Sequence, residues 1–272
     1  MRRLKRLLFI LALMLASPAF ADEFITLAST TSTEQSGLFS YLIPLFKQAS
    51  GIDVHVVAVG TGQALAIGAR GDADALLVHD REGEDRFVAD GHGIDRRDVM
   101  FNDFVLIGPK SDPTGVRGLK DANEALRKIA QAKAPFASRG DDSGTHRMEL
   151  RLWKAAGVDV AAGAAPWRRE TGSGMGPTLN LAAGLDAYVL ADRATWANFK
   201  NRQTLEILSE GDRVLFNPYG SILVNPELHP YVKAAAARRW HEWLTSARGG
   251  AAIASYKING EQVFFLPEAM VR

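Results

Sequence analysis

Short apolar runs alternate with amphipathic stretches along most of the chain, and this alternation predicts an α/β fold. Phe24 to Ala28 reads as a first strand. Leu38 to Gln48 reads as a helix, because Leu38, Tyr41, Leu42, Leu45 and Phe46 fall on one face at helical spacing. Val54 to Val59 is an apolar, largely β-branched run and predicts a second strand, followed by a short helix over Gln63 to Arg70. Further strands are expected at Ala75 to Val78, Phe101 to Ile107, Pro135 to Ser138 and Tyr188 to Ala191, with a return strand over Asn217 to Val224. Helices are expected from Asp121, a good N-cap, to about Lys133, then over Thr145 to Ala156, Thr178 to Leu185, Tyr231 to Thr245 and Ala251 to Tyr256. A turn rich in proline, Pro109 to Pro113, separates the first group of elements from the second.

The N-terminus breaks this pattern. Arg2, Arg3, Lys5 and Arg6 precede an apolar run from Leu7 to Leu15, which ends before Ala19-Phe20-Ala21. That order of basic start, short apolar core and A-x-A site is the pattern of a cleaved secretory signal peptide over residues 1–21. The run is shorter than the ~20 residues of a membrane-spanning helix. The mature chain is therefore expected to start at Asp22 and to work in the periplasm. Cysteine is absent, which removes disulfides, thiolate metal sites, cysteine nucleophiles and a lipid-anchored cysteine from consideration. Setting aside the four basic residues of the leader leaves 28 of the 32 basic residues against 31 acidic ones, so no basic excess remains to hold nucleic acid.

Candidate chemistry concentrates in three loops, each placed after a predicted strand and before a predicted helix. They are Ser29-Thr30-Thr31-Ser32-Thr33, Gly60-Thr61-Gly62-Gln63, and Ser138-Arg139-Gly140-Asp141-Asp142-Ser143-Gly144-Thr145. Ligands of open α/β sheets bind beyond the carboxyl ends of the strands. Helix N-termini there offer free N–H groups and partial positive charge, hydroxyls add rotatable donors, and Arg139 adds a planar fork of donors. One hydroxyl is what any helix cap needs. Five in a row, repeated as a donor-rich pattern in three loops, point to an oxyanion site.

The first and third loops together resemble those of the periplasmic tungstate-binding components of ABC importers, the TupA family. Ser29 to Glu34, Ser138 to His146, the Gly60-Thr61-Gly62 loop and the Thr171-Gly172-Ser173-Gly174-Met175 segment carry the resemblance, which extends over roughly Phe24 to Leu266. It implies a type II periplasmic binding protein, an α/β fold of two lobes with the ligand in the cleft between them. On that reading residues 22–105 and 219–272 form lobe I and residues 106–218 form lobe II. The runs near Phe101 to Ile107 and Asn217 cross between them. The resemblance assigns Thr30, Thr31, Ser32 and Thr61 of lobe I, and Arg139, Ser143, Gly144 and Thr145 of lobe II, as ligand-binding residues. Ser29, Gly62, Ser173 and Gly174 are further candidates. The implied partners are a tungstate or molybdate oxyanion and the permease of an ABC transporter, with the binding protein a monomer. No cofactor is implied.

The Arg139 loop is also similar to that of periplasmic phosphate-binding proteins, where an Asp at the position of Asp141 accepts the phosphate proton. Tungstate and molybdate carry no proton at neutral pH, and an inward Asp141 would repel them. For a tungstate site Asp141 is therefore expected to turn toward Arg139 or a backbone N–H. A secreted hydrolase is the third reading, prompted by Ser143 and His146, but the Gly-x-Ser-x-Gly elbow is missing. None of the six histidines forms a His-x-x-x-His or His-Glu-x-x-His pair, and each reads as surface or core packing. The mixed charges from Arg81 to Asp98 read as a solvated face.

Overall fold

The computed structural model describes residues 23–161 and 165–267. The expected signal peptide, residues 1–21, lies outside the described residues. In chain order the strands are β1 (Phe24–Thr30), β2 (Asp53–Val59), β3 (Ala75–Val78), β4 (Gly93–Pro109), β5 (Phe136–Ser138), β6 (Arg168–Glu170), β7 (Tyr188–Asp192), β8 (Leu205–Ser209), β9 (Phe216–Val224), β10 (Lys257–Ile258) and β11 (Glu261–Gln262). The helices are α1 (Thr31–Gln35), α2 (Leu38–Ser50), α3 (Thr61–Ala69), α4 (Arg81–Ala89), α5 (Ala122–Gln131), α6 (Gly144–Ala155), α7 (Met175–Leu185), α8 (Arg193–Asn198), α9 (Ala234–Leu244) and α10 (Ala247–Ser255).

One nine-stranded sheet runs β2-β1-β3-β9-β4-β7-β5-β6, and β8 also pairs with β4. β1 lies parallel to β2 and β3, and β5 parallel to β6 and β7, as strand–helix–strand crossovers require. The two parallel groups are joined by the long antiparallel strands β4 and β9. β4 exchanges partners midway. It pairs with β9 up to Asp103, opposite Phe216, and with β7 from Phe104, opposite Asp192.

Each half of the sheet has its own apolar packing. In the first half, Ile25, Leu27, Leu42, Phe46 and Trp240 pack on one face, and Leu76, Val78, Phe87 and Ile222 on the other. In the second half, Phe104, Phe136, Trp153 and Leu190 form one cluster, and Val105, Leu179, Val189 and Trp196 another. Burying each large apolar side chain is worth roughly 1.5–3 kcal/mol, so apolar burial contributes to holding each half of the sheet.

The predicted elements are present with shifted ends. The expected helix from Tyr231 starts later, at Ala234, because Tyr231 instead lies exposed and donates its hydroxyl to Arg70 O at 2.9 Å. The Arg81 to Asp98 stretch is not wholly a solvated face. Its first part forms α4, whose Glu84 is fully buried and pairs with Arg96 at 2.8 Å. Burial pushes the Glu84 carboxyl up to about 7, against the opposing pull of Arg96.

Candidate functional site

The three polar loops leave the strands where the sheet halves meet. Ser143 caps α6: its Oγ accepts the His146 N–H at 3.2 Å. Thr30 caps α1 in the same way, accepting the Thr33 N–H at 3.3 Å. Gly60, in extended conformation, leads into α3. Two glycines of the Arg139 loop have steric reasons. Gly140 has φ +61° and a Cβ there would meet Glu170 Cβ at 2.7 Å, whereas a Cβ on Gly144 would meet both His79 Cε1 and Thr61 Oγ1 at 3.0 Å.

The two halves of the sheet close on one another through these loops. The Gly144 N–H donates to Thr61 Oγ1 at 2.8 Å, and Arg139 Nη2 donates to Thr31 Oγ1 at 3.1 Å. Asp80, at the start of α4, accepts from Arg147 Nη1 at 2.9 Å and Arg151 Nη1 at 3.1 Å, both on α6. Asn198 Nδ2 of α8 donates to Gln35 O at 2.9 Å. A cavity of about 540 Å³, lined in part by His79, Asp80, Arg151, Asn217 and Pro218, opens beside this closed contact.

Arg139 is 2% exposed, and it is held on one side only. Its Nε and Nη2 donate to Asp141 Oδ2 at 3.1 and 2.6 Å, while Asp141 Oδ1 accepts the Ser143 N–H at 3.3 Å. Asp141 thus orients the guanidinium and the loop together. Arg139 Nη1 is buried with no hydrogen-bond partner, and so is Thr145 Oγ1 on the first turn of α6. A buried, unpaired donor is costly, and such groups in native structures find a partner in water, an ion or a ligand.

On the opposite loop the hydroxyls satisfy one another. Thr30 Oγ1 lies 2.7 Å from Thr33 Oγ1, 3.1 Å from Ser32 Oγ and 3.1 Å from His79 Nε2. Ser32 Oγ is also 3.1 Å from His79 Nε2. Ser29 donates to Leu77 O at 2.6 Å, so its proton is committed to the sheet. The Thr171 segment stands behind Arg139: Thr171 Oγ1 and the Ser173 N–H both donate to Arg139 O, at 3.2 and 3.3 Å. A Cβ on Gly174 would lie 3.7 Å from Thr31 Oγ1, and one on Gly62 would run into Asp142 and Arg147.

His79 was not singled out by its sequence, because a lone histidine carries no ligand spacing. Its position at the carboxyl end of β3, matching the ends of β1 and β5, was the available signal. It is 4% exposed, and burial holds its imidazole down to about 4, with Arg139 adding to the shift, so it is neutral at physiological pH. Asn102, Asn217 and Asp192 were missed as well; they sit where β4, β9 and β7 meet.

Ser143 and His146 do not form a nucleophile–base pair. Ser143 Oγ is used by the His146 backbone N–H, and His146 Nδ1 accepts the Asp142 N–H at 3.1 Å.

Known proteins match this architecture. The family model for the PBP superfamily domain matches residues 19–248. The chain belongs to the PBP superfamily. This PBP-superfamily chain is 45% identical over 238 residues to the tungstate-binding protein TupA of Peptoclostridium acidaminophilum, covering 87% of the chain and 82% of that protein. The crystal structure of the tungstate ABC transporter protein from Geobacter sulfurreducens is 48% identical, with a TM-score of 0.79, over 87% of this chain and all of that one. The tungstate-binding protein TupA of Desulfovibrio alaskensis is 41% identical, with a TM-score of 0.75, over 90% and 99% of the two chains. The fold of the PBP chain is accordingly the two-lobed α/β type II fold, and its family binds solutes rather than transforming them.

Proposed function

We propose that the protein is the periplasmic solute-binding component of an ABC importer, capturing tungstate, or molybdate, between two lobes and handing it to the permease. The observation that carries this reading is the pair of buried, unpartnered groups, Arg139 Nη1 and Thr145 Oγ1. An oxyanion supplies acceptors only, and these donors lack one. The tungstate-binding names of relatives at 41–48% identity support the choice of anion. Lobe I takes in residues 22–105 and 219–272, and lobe II residues 106–218. The exchange of β4 partners between Asp103 and Phe104 supports a crossing close to those boundaries. Thr30, Thr31, Ser32 and Thr61 face the anion from lobe I, and Arg139 and Thr145 face it from lobe II, where the Ser143 and Gly144 N–H groups are held by Asp141 Oδ1 and Thr61 Oγ1 and so shape the loop.

The geometry favours a proton-free anion. Asp141, which in a phosphate site would accept a proton from the ligand, spends one oxygen on Arg139 and the other on the Ser143 N–H. Closure follows from the same contacts: a ligand that bonds both lobes shifts the population toward the closed form. The protein is read as a periplasmic monomer.

A thermal-shift screen with tungstate, molybdate, sulfate and phosphate tests this reading. Tungstate at 100 times its Kd should add about 2.7 kcal/mol of apparent stability. A shift with phosphate and none with tungstate or molybdate contradicts it.

A further inference from the structure

The hydroxyl loop of lobe I does not stand alone. A file of buried polar side chains runs from it across both crossing strands into lobe II. His79 Nδ1 lies 3.1 Å from Asn217 Oδ1 on β9. Asn217 Nδ2 donates to Asn102 Oδ1 on β4 at 2.6 Å, and the two asparagines are register partners in the ladder. Asn102 Nδ2 reaches Asp192 Oδ1, at the end of β7, over 3.5 Å. Asp192 Oδ1 also accepts the Thr195 N–H at 2.8 Å. All four of these side chains are at least 96% buried.

The file has a direction. The Thr195 N–H can only donate, so Asp192 Oδ1 is an acceptor. Asn102 must therefore turn its amide NH₂ to Asp192 and its carbonyl to Asn217. Asn217 must turn its NH₂ to Asn102 and its carbonyl to His79. The proton of the neutral imidazole is then on Nδ1, and Nε2 is bare. A bare Nε2 accepts a hydroxyl proton from the Thr30–Ser32 pair, 3.1 Å away on each side.

We infer that His79 is a positioning residue for oxyanion binding, its tautomer set by Asn217, Asn102 and Asp192, and that its bare Nε2 orders the Thr30 and Ser32 hydroxyls that shape the anion loop. This rests on the oxyanion reading above and adds its second layer. The single lone pair of Nε2 takes one proton from this pair, so one of the Thr30 and Ser32 hydroxyls is committed to His79 and the other is placed beside it. Because the file passes through β4 and β9, the loop is ordered by the strands about which the lobes close, before any anion arrives. Such preorganisation strengthens binding without a new contact to the guest.

Nitrogen-15 spectra of the full mature chain with labelled histidine read the tautomer directly, with and without tungstate. The expected result is a protonated Nδ1 and an unprotonated Nε2 for His79 in both states. Calorimetry with tungstate on variants supplies the second readout. His79→Phe, which fills the space without the acceptor, should weaken binding roughly tenfold. His79→Gln, whose carbonyl reaches close to the Nε2 position, should recover most of that loss. A protonated Nε2 in the wild-type spectrum overturns the inference, and so does His79→Phe binding tungstate as tightly as wild type. If wild type fails to bind tungstate while Nδ1 carries the proton, the oxyanion reading falls and the tautomer assignment stands, so the two failures are distinguishable.

Discussion

The loop at the end of β1 and the loop at the end of β5 face one another across the lobe junction, and they are finished to different degrees. The β1 loop is internally satisfied: Ser29 is bonded to Leu77 O, and Thr30, Ser32 and Thr33 are bonded among themselves and to His79. The β5 loop is built around Asp141 but leaves Arg139 Nη1 and Thr145 Oγ1 buried and unpaired. One side is a preformed wall, and the other carries the unmet demand for an acceptor. On the proposed reading, a guest that bridges them would gain most of its direct attraction from the Arg139 side and most of its geometric definition from the hydroxyl side.

Removing Arg139 should have the largest effect. Arg139→Ala is expected to cost ~2–5 kcal/mol of tungstate binding, the loss that follows truncation of a buried charge partner. An unchanged Kd by calorimetry would break the comparison. Thr145→Val comes next. It should lose about 1.5–3 kcal/mol of binding, as for a hydrogen bond to a charged acceptor, while the unliganded protein keeps or gains stability because an unpaired hydroxyl has gone. Denaturant melts without ligand, beside binding isotherms, check both halves of that expectation.

The histidines give a pH test that separates the site from the core. Burial depresses His79 and His241 from 6.5 to about 4. The unfolded chain therefore takes up their protons between about pH 6.5 and 4 while the folded chain does not, so their contribution to stability is present above 6.5 and lost as pH falls toward 4. Glu84 works the other way: its folded value of about 7 against 4.5 makes the folded chain the better proton binder in that interval. His241 lies in the lobe I core, its Nδ1 2.8 Å from Ser221 Oγ and its Nε2 3.5 Å from Asp95. His241→Gln should flatten the stability profile between pH 6.5 and 4 by up to ~1.4 kcal/mol per pH unit without changing tungstate affinity at pH 7. An unchanged slope would show that His241 does not titrate as described. The smallest effect is expected at Ser29. Ser29→Ala should cost about 1 kcal/mol of folding stability, through the lost bond to Leu77 O, and leave affinity within twofold. A large loss of affinity would make Ser29 part of the wall facing the guest.

Much of this was legible in the chain, for identifiable reasons. The alternating pattern located most strands, because buried strands such as Ala75–Val78 are uninterrupted apolar runs. Asp121 announced α5, and its side chain does accept the Glu124 N–H at 2.9 Å. The orientation of Asp141 followed from charge once a proton-free anion was taken from the family resemblance, and its carboxylate does bond Arg139 and the Ser143 N–H. Short elements were not legible: α1 is hidden in a run of hydroxyl residues, and β6 reads Arg-Arg-Glu, whose Arg168 is nonetheless buried against Glu149 at 2.7 Å. Nor was β4 visible at its full length, since its first half carries the charges of Asp95 to Asp98. The file from His79 to Asp192 escaped because its members are 138, 115 and 90 residues apart and meet only where the crossing strands bring them together.

The central claim is that a bare tetrahedral oxyanion completes the bonding of Arg139 and Thr145 between the lobes. Anomalous diffraction from crystals of the mature chain grown with tungstate would test it most directly. A tungsten peak between the lobes, with oxygens in hydrogen-bond reach of Arg139 Nη1 and Thr145 Oγ1, is the predicted result. Full-occupancy tungsten elsewhere, with those two groups still unpaired or bonded only to water, would contradict it.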